Sequence, residues 1–231
     1  EELKLLRETG LNSVRMFMPF HAWYFERERF FGKLDELLDL LEKFGVTLMP
    51  VLFNDCAPFE RPDPVFPDRM SEGWQPYDIG HHGGKAENPF TGEKRKTGWI
   101  LFDEEEWREP QYTYAKEMIS RYARDPRIII WDLWNEPGNS NRHSLSMGHL
   151  ERVFEIARAI DPDQPLTAAP WSYPEGYGVS EEAQLEPIQK RAVELSDIVS
   201  FHQYENFERH GILRPAAAAR GANALYSGSV G

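Results

Sequence analysis

The chain has 231 residues, 41% of them hydrophobic and 13% aromatic, and a formal net charge of −12. That is enough for one domain with a sizeable core, and the acidic balance argues against a nucleic-acid binder, whose affinity comes from Lys and Arg on phosphates. No run approaches the ~20 apolar residues of a membrane span, and a single cysteine, Cys56, excludes an intrachain disulfide.

The chain opens on Glu1-Glu2-Leu3, with neither Met nor an apolar leader. It reads as starting inside a helix over 2–9, its N-terminus expected to be missing, so secreted and cytoplasmic locations both stay open. Leu11 to Met18 follows as a strand with Val14, Met16 and Met18 on one face, ended by Pro19, which has no N–H for a ladder. Leu34, Leu37, Leu38, Leu41 and Phe44 recur at helical spacing and predict a helix over 33–44, with Gly45 as its C-cap. Val46 to Phe53 is a nearly continuous apolar run, as in strands buried on both faces of a parallel sheet.

The segment 55–110 reads as a long insertion rich in Pro, Gly and aromatics. Such loops in compact domains are usually functional or disordered. A helix is expected over Tyr112 to Arg124, then a strand over Arg127 to Leu133 built on Ile128-Ile129-Ile130. Leu150, Val153, Phe154, Ala157 and Ile160 mark the next helix, Leu166 to Ala169 a short strand. Leu185, Ile188, Ala192 and Leu195 mark another helix, and Asp197 to Phe201 a further strand. Pro215 to Gly231 holds no carboxylate and no periodic apolar face, so 211–231 reads as an irregular tail rather than a barrel element.

Helix and strand alternate throughout, which implies an α/β fold with a parallel sheet. No Gly-x-Gly-x-x-Gly or P-loop follows a strand, so a nucleotide-binding doubly wound sheet loses support and an eight-stranded (β/α)8 barrel gains it. In a barrel, chemistry sits where strands end at the C-terminal mouth. The run Ile128-Ile129-Ile130-Trp131-Asp132-Leu133-Trp134-Asn135-Glu136-Pro137 delivers Asn135 and Glu136 to that mouth. Trp131 and Trp134 are expected to raise the Glu136 pKa by disfavouring its charged form. A carboxyl group that must donate a proton near neutral pH needs such a shift.

These residues resemble the retaining glycoside hydrolases of the large (β/α)8 clan of cellulases, β-mannanases and β-galactosidases, most closely its cellulase-like family. The resemblance covers 1–205. It implies that Leu11–Met18 is strand two, so that approximately strands two to six of a partial (β/α)8 barrel are present, 1–210 forming an incomplete catalytic barrel. It implies that Glu136 is the acid/base and that Asn135 hydrogen-bonds the sugar 2-hydroxyl. Arg15 in Ser-Val-Arg-Met-Phe would support the nucleophile, and His202 and Tyr204 of His202-Gln203-Tyr204 would line the central subsite. Where the family often has a His at the end of strand three, this chain has Phe53-Asn54-Asp55, and Asn54 is the expected replacement as a sugar-binding group. Trp171 is the favoured aromatic platform for a pyranose face, ahead of Trp23, Tyr24, Tyr173, Trp74 and Trp99.

Each assignment has a plainer alternative: Arg15 as half of a structural ion pair, His202 as a satisfied core histidine, Tyr204 and the tryptophans as packing. His81-His82 lacks metal-ligand spacing, and neither a metal nor a cofactor is called for. Retention needs two carboxyl groups about 5 to 5.5 Å apart. The family's nucleophile is a Glu ending strand seven, and Glu205 and Glu208 stand too close to strand six, so the nucleophile is expected to be absent from this chain. A barrel so cut would leave sheet edges open at strands two and six. The expected partner is a β-linked oligosaccharide or polysaccharide, with no nucleic acid and no membrane. The competing readings are a carbohydrate-binding pseudoenzyme or an inactive fragment lacking the nucleophile and, last, a barrel lyase or aldolase, which lacks the strand-end Lys or metal cluster it needs.

Overall fold

The structure, a computed structural model, describes residues 1–56, 100–170, 186–202 and 224–227. Helix α1 (Glu2–Glu8) leads into β1 (Ser13–Phe17), then α2 (Phe20–Phe25), α3 (Arg27–Lys43) and β2 (Thr47–Asn54). After a 3-10 turn at Leu101–Asp103 come α4 (Glu105–Tyr122) and β3 (Trp131–Asn135). A second 3-10 turn at His143–Ser146 opens α5 (Met147–Ile160), followed by β4 (Leu166–Ala169), α6 (Pro187–Leu195), β5 (Val199–His202) and β6 (Ala224–Ser227).

Strands β1 to β4 form one parallel sheet in chain order. Strand β5 continues the order beside β4, with the Asp197 N–H on the Leu166 carbonyl at 2.8 Å and the His202 N–H on the Pro170 carbonyl at 3.0 Å. Strand β6 pairs in parallel with β5. Parallel neighbours in chain order, joined by helices, make this a partial (β/α)8 barrel. The core fills the space between strands and helices: Leu38 and Leu41 of α3, Leu48 and Leu52 of β2, Tyr114 and Met118 of α4, Val153 and Phe154 of α5. No helix among the described residues is long and apolar enough to cross a membrane.

Helix α3 ends as its sequence demands. Gly45 takes φ +63, the Gly45 N–H reaches the Glu42 carbonyl and the Val46 N–H the Leu41 carbonyl, the paired bonds of a Schellman cap. Three boundaries differ from the sequence reading. Helix α3 begins at Arg27, because Phe31 extends the buried stripe one turn back from Leu34. Helix α4 begins at Glu105 and holds Pro110 inside it, a residue that reads as a breaker. Strand β3 lies further along than the isoleucine run. Ile128 makes only an isolated bridge to Leu48 and Ile129 is 45% exposed, because the Ile128 N–H folds back onto the Asp125 carbonyl at the Asp-Pro turn.

The tail supplies a strand, β6, where its composition suggests none, so the β5 edge expected to be open is paired. An unpaired parallel edge offers a row of N–H and C=O groups to any extended segment that reaches it. At the other end, β1 is the edge strand among the described residues, and Met16 and Phe17 are exposed there.

Past β3 the chain turns sharply. The Asn139 N–H donates to the Glu136 carbonyl at 3.1 Å across Pro137 and Gly138, and Gly138 has φ +88. Pro then Gly with positive φ at the centre is the signature of a type II turn. A Cβ on Gly138 would lie 2.6 Å from Ile188 Cγ2 and 2.9 Å from the His143 carbonyl oxygen. Gly138→Ala is therefore expected to destabilise the fold by about 2–4 kcal/mol through backbone strain and overpacking. Denaturant unfolding checks this; an unchanged midpoint would mean that the turn relaxes freely.

Candidate active site

Because β1 to β5 are parallel, their C-terminal ends share one rim, and Asn54, Asn135 and His202 all end their strands there. Arg15 reaches the rim from inside β1. Its Nε and Nη2 donate to Asp132 Oδ2 at 2.9 and 2.6 Å, and Nη2 also donates to Asn135 Oδ1 at 2.6 Å. Residues 132 and 135 would point to opposite faces of a regular strand. The register of β3 on β4 shifts between Asp132 and Trp134, a bulge that re-aims the side chains so that one guanidinium meets both. Asn135 Nδ2 then donates to Asn54 Oδ1 at 2.7 Å, and the same oxygen accepts the Cys56 N–H at 2.8 Å.

Glu136 follows at once, 4% exposed, with φ +52 in front of a proline. A non-glycine residue in that region is strained, and a following proline disfavours the helical alternatives. Such strain persists only where the surroundings over-determine it. His202 Nδ1 lies 2.6 Å from Glu136 Oε1, and Asn139 Nδ2 donates to Oε2 at 2.7 Å. The Cys56 thiol also hydrogen-bonds the carboxylate. Three segments therefore converge on it: the end of β5, the end of β2 and the turn after β3.

Beneath this turn lies a buried ionic cluster. Asp55 accepts the Gly138 N–H at 2.7 Å and the Ser146 hydroxyl at 3.1 Å, while its carbonyl accepts the Ser140 hydroxyl at 2.9 Å. Arg142, fully buried, stands 3.6 Å from Asp55 and makes a two-pronged pair with Asp103 at 2.8 and 3.0 Å. The loop carrying these contacts has three more left-handed residues, Ser140, Asn141 and His143.

Burial pushes Glu136 upward, but hydrogen bonding and charge from His202, then the Cys56 and Asn139 hydrogen bonds, outweigh it and leave the carboxyl below its ordinary value. The rise expected from Trp131 and Trp134 is thus not what the structure gives. The Trp131 indole N–H is engaged by Gln164, and Trp134 stacks on Phe102. Burial and the neighbouring Glu136 and Asp55 carboxylates keep the Cys56 thiol protonated. For Asp55 burial wins: it is pushed up to about 6 from 3.8, against the pull of Arg142, Gly138 and Ser146.

A carboxyl group that holds its proton more tightly folded than unfolded favours folding below its unfolded pKa and loses that contribution as pH rises through the folded one. Asp55 therefore contributes a fall of about 3 kcal/mol between pH 4 and 7. Asp55→Asn is expected to abolish that component, so the stability of the variant relative to the wild type improves across the same window. Urea titrations at several pH values measure it, and a constant difference from pH 4 to 7 would count against the shift.

Of the residues expected from sequence, the structure brings Arg15, Asn54, Asn135, Glu136 and His202 together on the rim. Trp171 and Tyr204 lie outside the described residues, as do Tyr173, Trp74, Trp99, His81, His82, Glu205 and Glu208. Arg15 is ion-paired to Asp132, the plainer alternative for it, and also holds Asn135. The contacts of the Asn54 side-chain oxygen are internal, so it braces Asn135. Trp23 belongs to the helix layer, its N–H on Glu117 at 3.0 Å and its ring against Tyr114. Sequence reasoning missed Asp132, Asn139, Cys56 and Arg142. One signal was available: an Asp inside an apolar strand needs a buried partner.

Residues 74–220 match the family model described as Cellulase (glycosyl hydrolase family 5). The chain is 23% identical to mannan endo-1,4-beta-mannosidase A of Podospora anserina over 229 residues, covering 87% of this chain and 52% of that protein. It is 24% identical over 226 residues to a probable mannan endo-1,4-beta-mannosidase F of Aspergillus flavus, covering 87% of this chain and 42% of that one. The chain thus spans about half the length of these curated relatives. Among solved structures, a hyperthermostable endo-1,4-beta-D-mannanase of Thermotoga petrophila superposes with a TM-score of 0.60 at 17% identity, covering 98% of this chain and 73% of that one. An endo-1,4-beta-mannanase of Rhizomucor miehei gives 0.58 at 14% identity, covering 97% and 70%. At these identities the structural likeness speaks to the fold.

Proposed function

Since the chain belongs to the cellulase family, glycosyl hydrolase family 5, we propose that it is part of an enzyme that hydrolyses β-linked glycosidic bonds with retention, with Glu136 as acid/base. The observation that carries this reading is the Glu136 carboxylate itself. It is buried at the strand-end rim directly after Asn135, and His202 and Asn139 each hold one of its oxygens.

In this reading Glu136 protonates the leaving oxygen and later takes a proton from the attacking water. Its low resting pKa suits the second role. The first needs a proton, and a second carboxylate about 5 to 5.5 Å away would supply the upward push by like-charge repulsion. That nucleophile is assigned to no residue of this chain. Asn135 has two amide donors; one goes to Asn54, and the other is proposed to meet the sugar 2-hydroxyl. Arg15 orders Asn135 and Asp132 and is proposed to support the nucleophile. His202 and Tyr204 are proposed to line the central subsite, Trp171 to stack on a sugar ring, and the insertion between β2 and α4 to cover the mouth of the barrel. The names of the curated relatives make β-1,4-mannan the first substrate to try.

The test is hydrolysis of β-1,4-mannan by the gene's full product, with the anomers followed by proton NMR in the first minutes. Initial release of the β-anomer is expected. Initial release of the α-anomer would overturn retention, and mannan binding without hydrolysis would favour a pseudoenzyme.

A further inference from the structure

We propose that Asn139 is a positioning residue for Glu136, fixing the orientation of its carboxylate from the far end of the same turn. The proposal rests on the acid/base reading of Glu136. The type II turn over Glu136 to Asn139 folds the Asn139 side chain back over the carboxylate, where Nδ2 donates to Oε2 at 2.7 Å. The amide cannot flip without loss, because its Oδ1 accepts the Ser140 N–H. Asn139 therefore presents only a donor to Glu136. It is 5% exposed, so the contact is largely shielded from solvent.

The second oxygen is held by His202 at the end of β5. With Oε2 tied to the turn and Oε1 to β5, rotation about the last side-chain torsion is restrained. The titratable groups facing Glu136 among the described residues include His202 from β5 and Cys56 from the end of β2, with Asp55 acting on Cys56 from behind. Asn139 adds an uncharged donor that favours the ionised carboxylate. This explains the turn's conformational demands: the positive φ of Glu136 and Gly138 is what lets residue 139 reach residue 136.

The experiment is a 13C-carboxyl NMR titration of the gene's full product labelled at Glu, with Glu136→Gln identifying the signal by its loss. The Glu136 midpoint is expected to rise in Asn139→Ala, which loses the donor. It should rise further in Asn139→Asp, which is isosteric, keeps the turn and adds a like charge. In the same variants the alkaline limb of kcat/KM should move to higher pH, and kcat of Asn139→Ala should fall about tenfold for loss of a charge-assisted hydrogen bond. A Glu136 midpoint that stays put in both variants overturns the proposal, whatever happens to melting temperature. Full hydrolytic activity in Glu136→Gln would instead remove the acid/base reading while leaving the titration result standing.

Discussion

Glu136→Gln is expected to lower kcat by about 10²- to 10⁴-fold, the usual worth of a positioned general acid or base. The substituted amide has nearly the same shape and no proton to give at any working pH. It can keep one contact each to Asn139 and His202, so the fold should melt close to the wild-type temperature. The loss should also depend on the leaving group. A substrate whose aglycone departs unaided needs no protonation and loses little in the first step, whereas a sugar leaving group needs the full transfer. Equal losses for both would point to a collapsed site rather than a missing proton, and parallel melting curves separate those cases.

Arg142→Met should destabilise the fold by about 3–5 kcal/mol, the cost of breaking a buried pair from one side. Arg142 is fully buried and satisfied chiefly by the two short bonds to Asp103, with Asp55 further off at 3.6 Å. Removing a carboxylate leaves the guanidinium paired through the other. Removing the guanidinium strands two carboxylates below the Glu136 turn and takes away the strongest influence holding the Asp55 pKa down. So Asp55→Asn should be mild where Arg142→Met is severe. Since Asp55 anchors Gly138 and Ser140, activity should fall in Arg142→Met even at temperatures where it remains folded. Chemical denaturation of the two variants side by side decides this; comparable losses in both would contradict the asymmetry.

Much of the architecture is legible in the sequence because the parallel strands are short apolar runs between amphipathic helices. Leu166 to Ala169 and the Gly45 cap appear where the pattern puts them. The strand at Trp131–Asn135 is displaced from its isoleucine run because hydrophobicity does not report where backbone donors go. The turn itself is written in Glu-Pro-Gly-Asn. Its consequence, an amide placed on the carboxylate, is not, because that depends on positive φ at a residue other than glycine. The pKa of Glu136 lies below its ordinary value, against the expectation from its Trp neighbours, for a related reason. Flanking tryptophans can be read from the chain, but His202 stands 66 positions away and its contact is tertiary. Arg142 and Asp103 belong to no sequence motif, and only packing reveals that Arg142 is wholly buried.

The proposed role of Glu136, supplying and then removing the proton, is tested most directly by Glu136→Ala in the gene's full product, assayed on a 2,4-dinitrophenyl β-glycoside with and without azide. This substrate forms the glycosyl-enzyme without an acid, and turnover then stalls for want of a base. Azide, an anion that needs no deprotonation, should restore turnover and yield the β-glycosyl azide. Wild-type turnover of the variant without azide, or no azide product with the fold intact, would contradict the assignment.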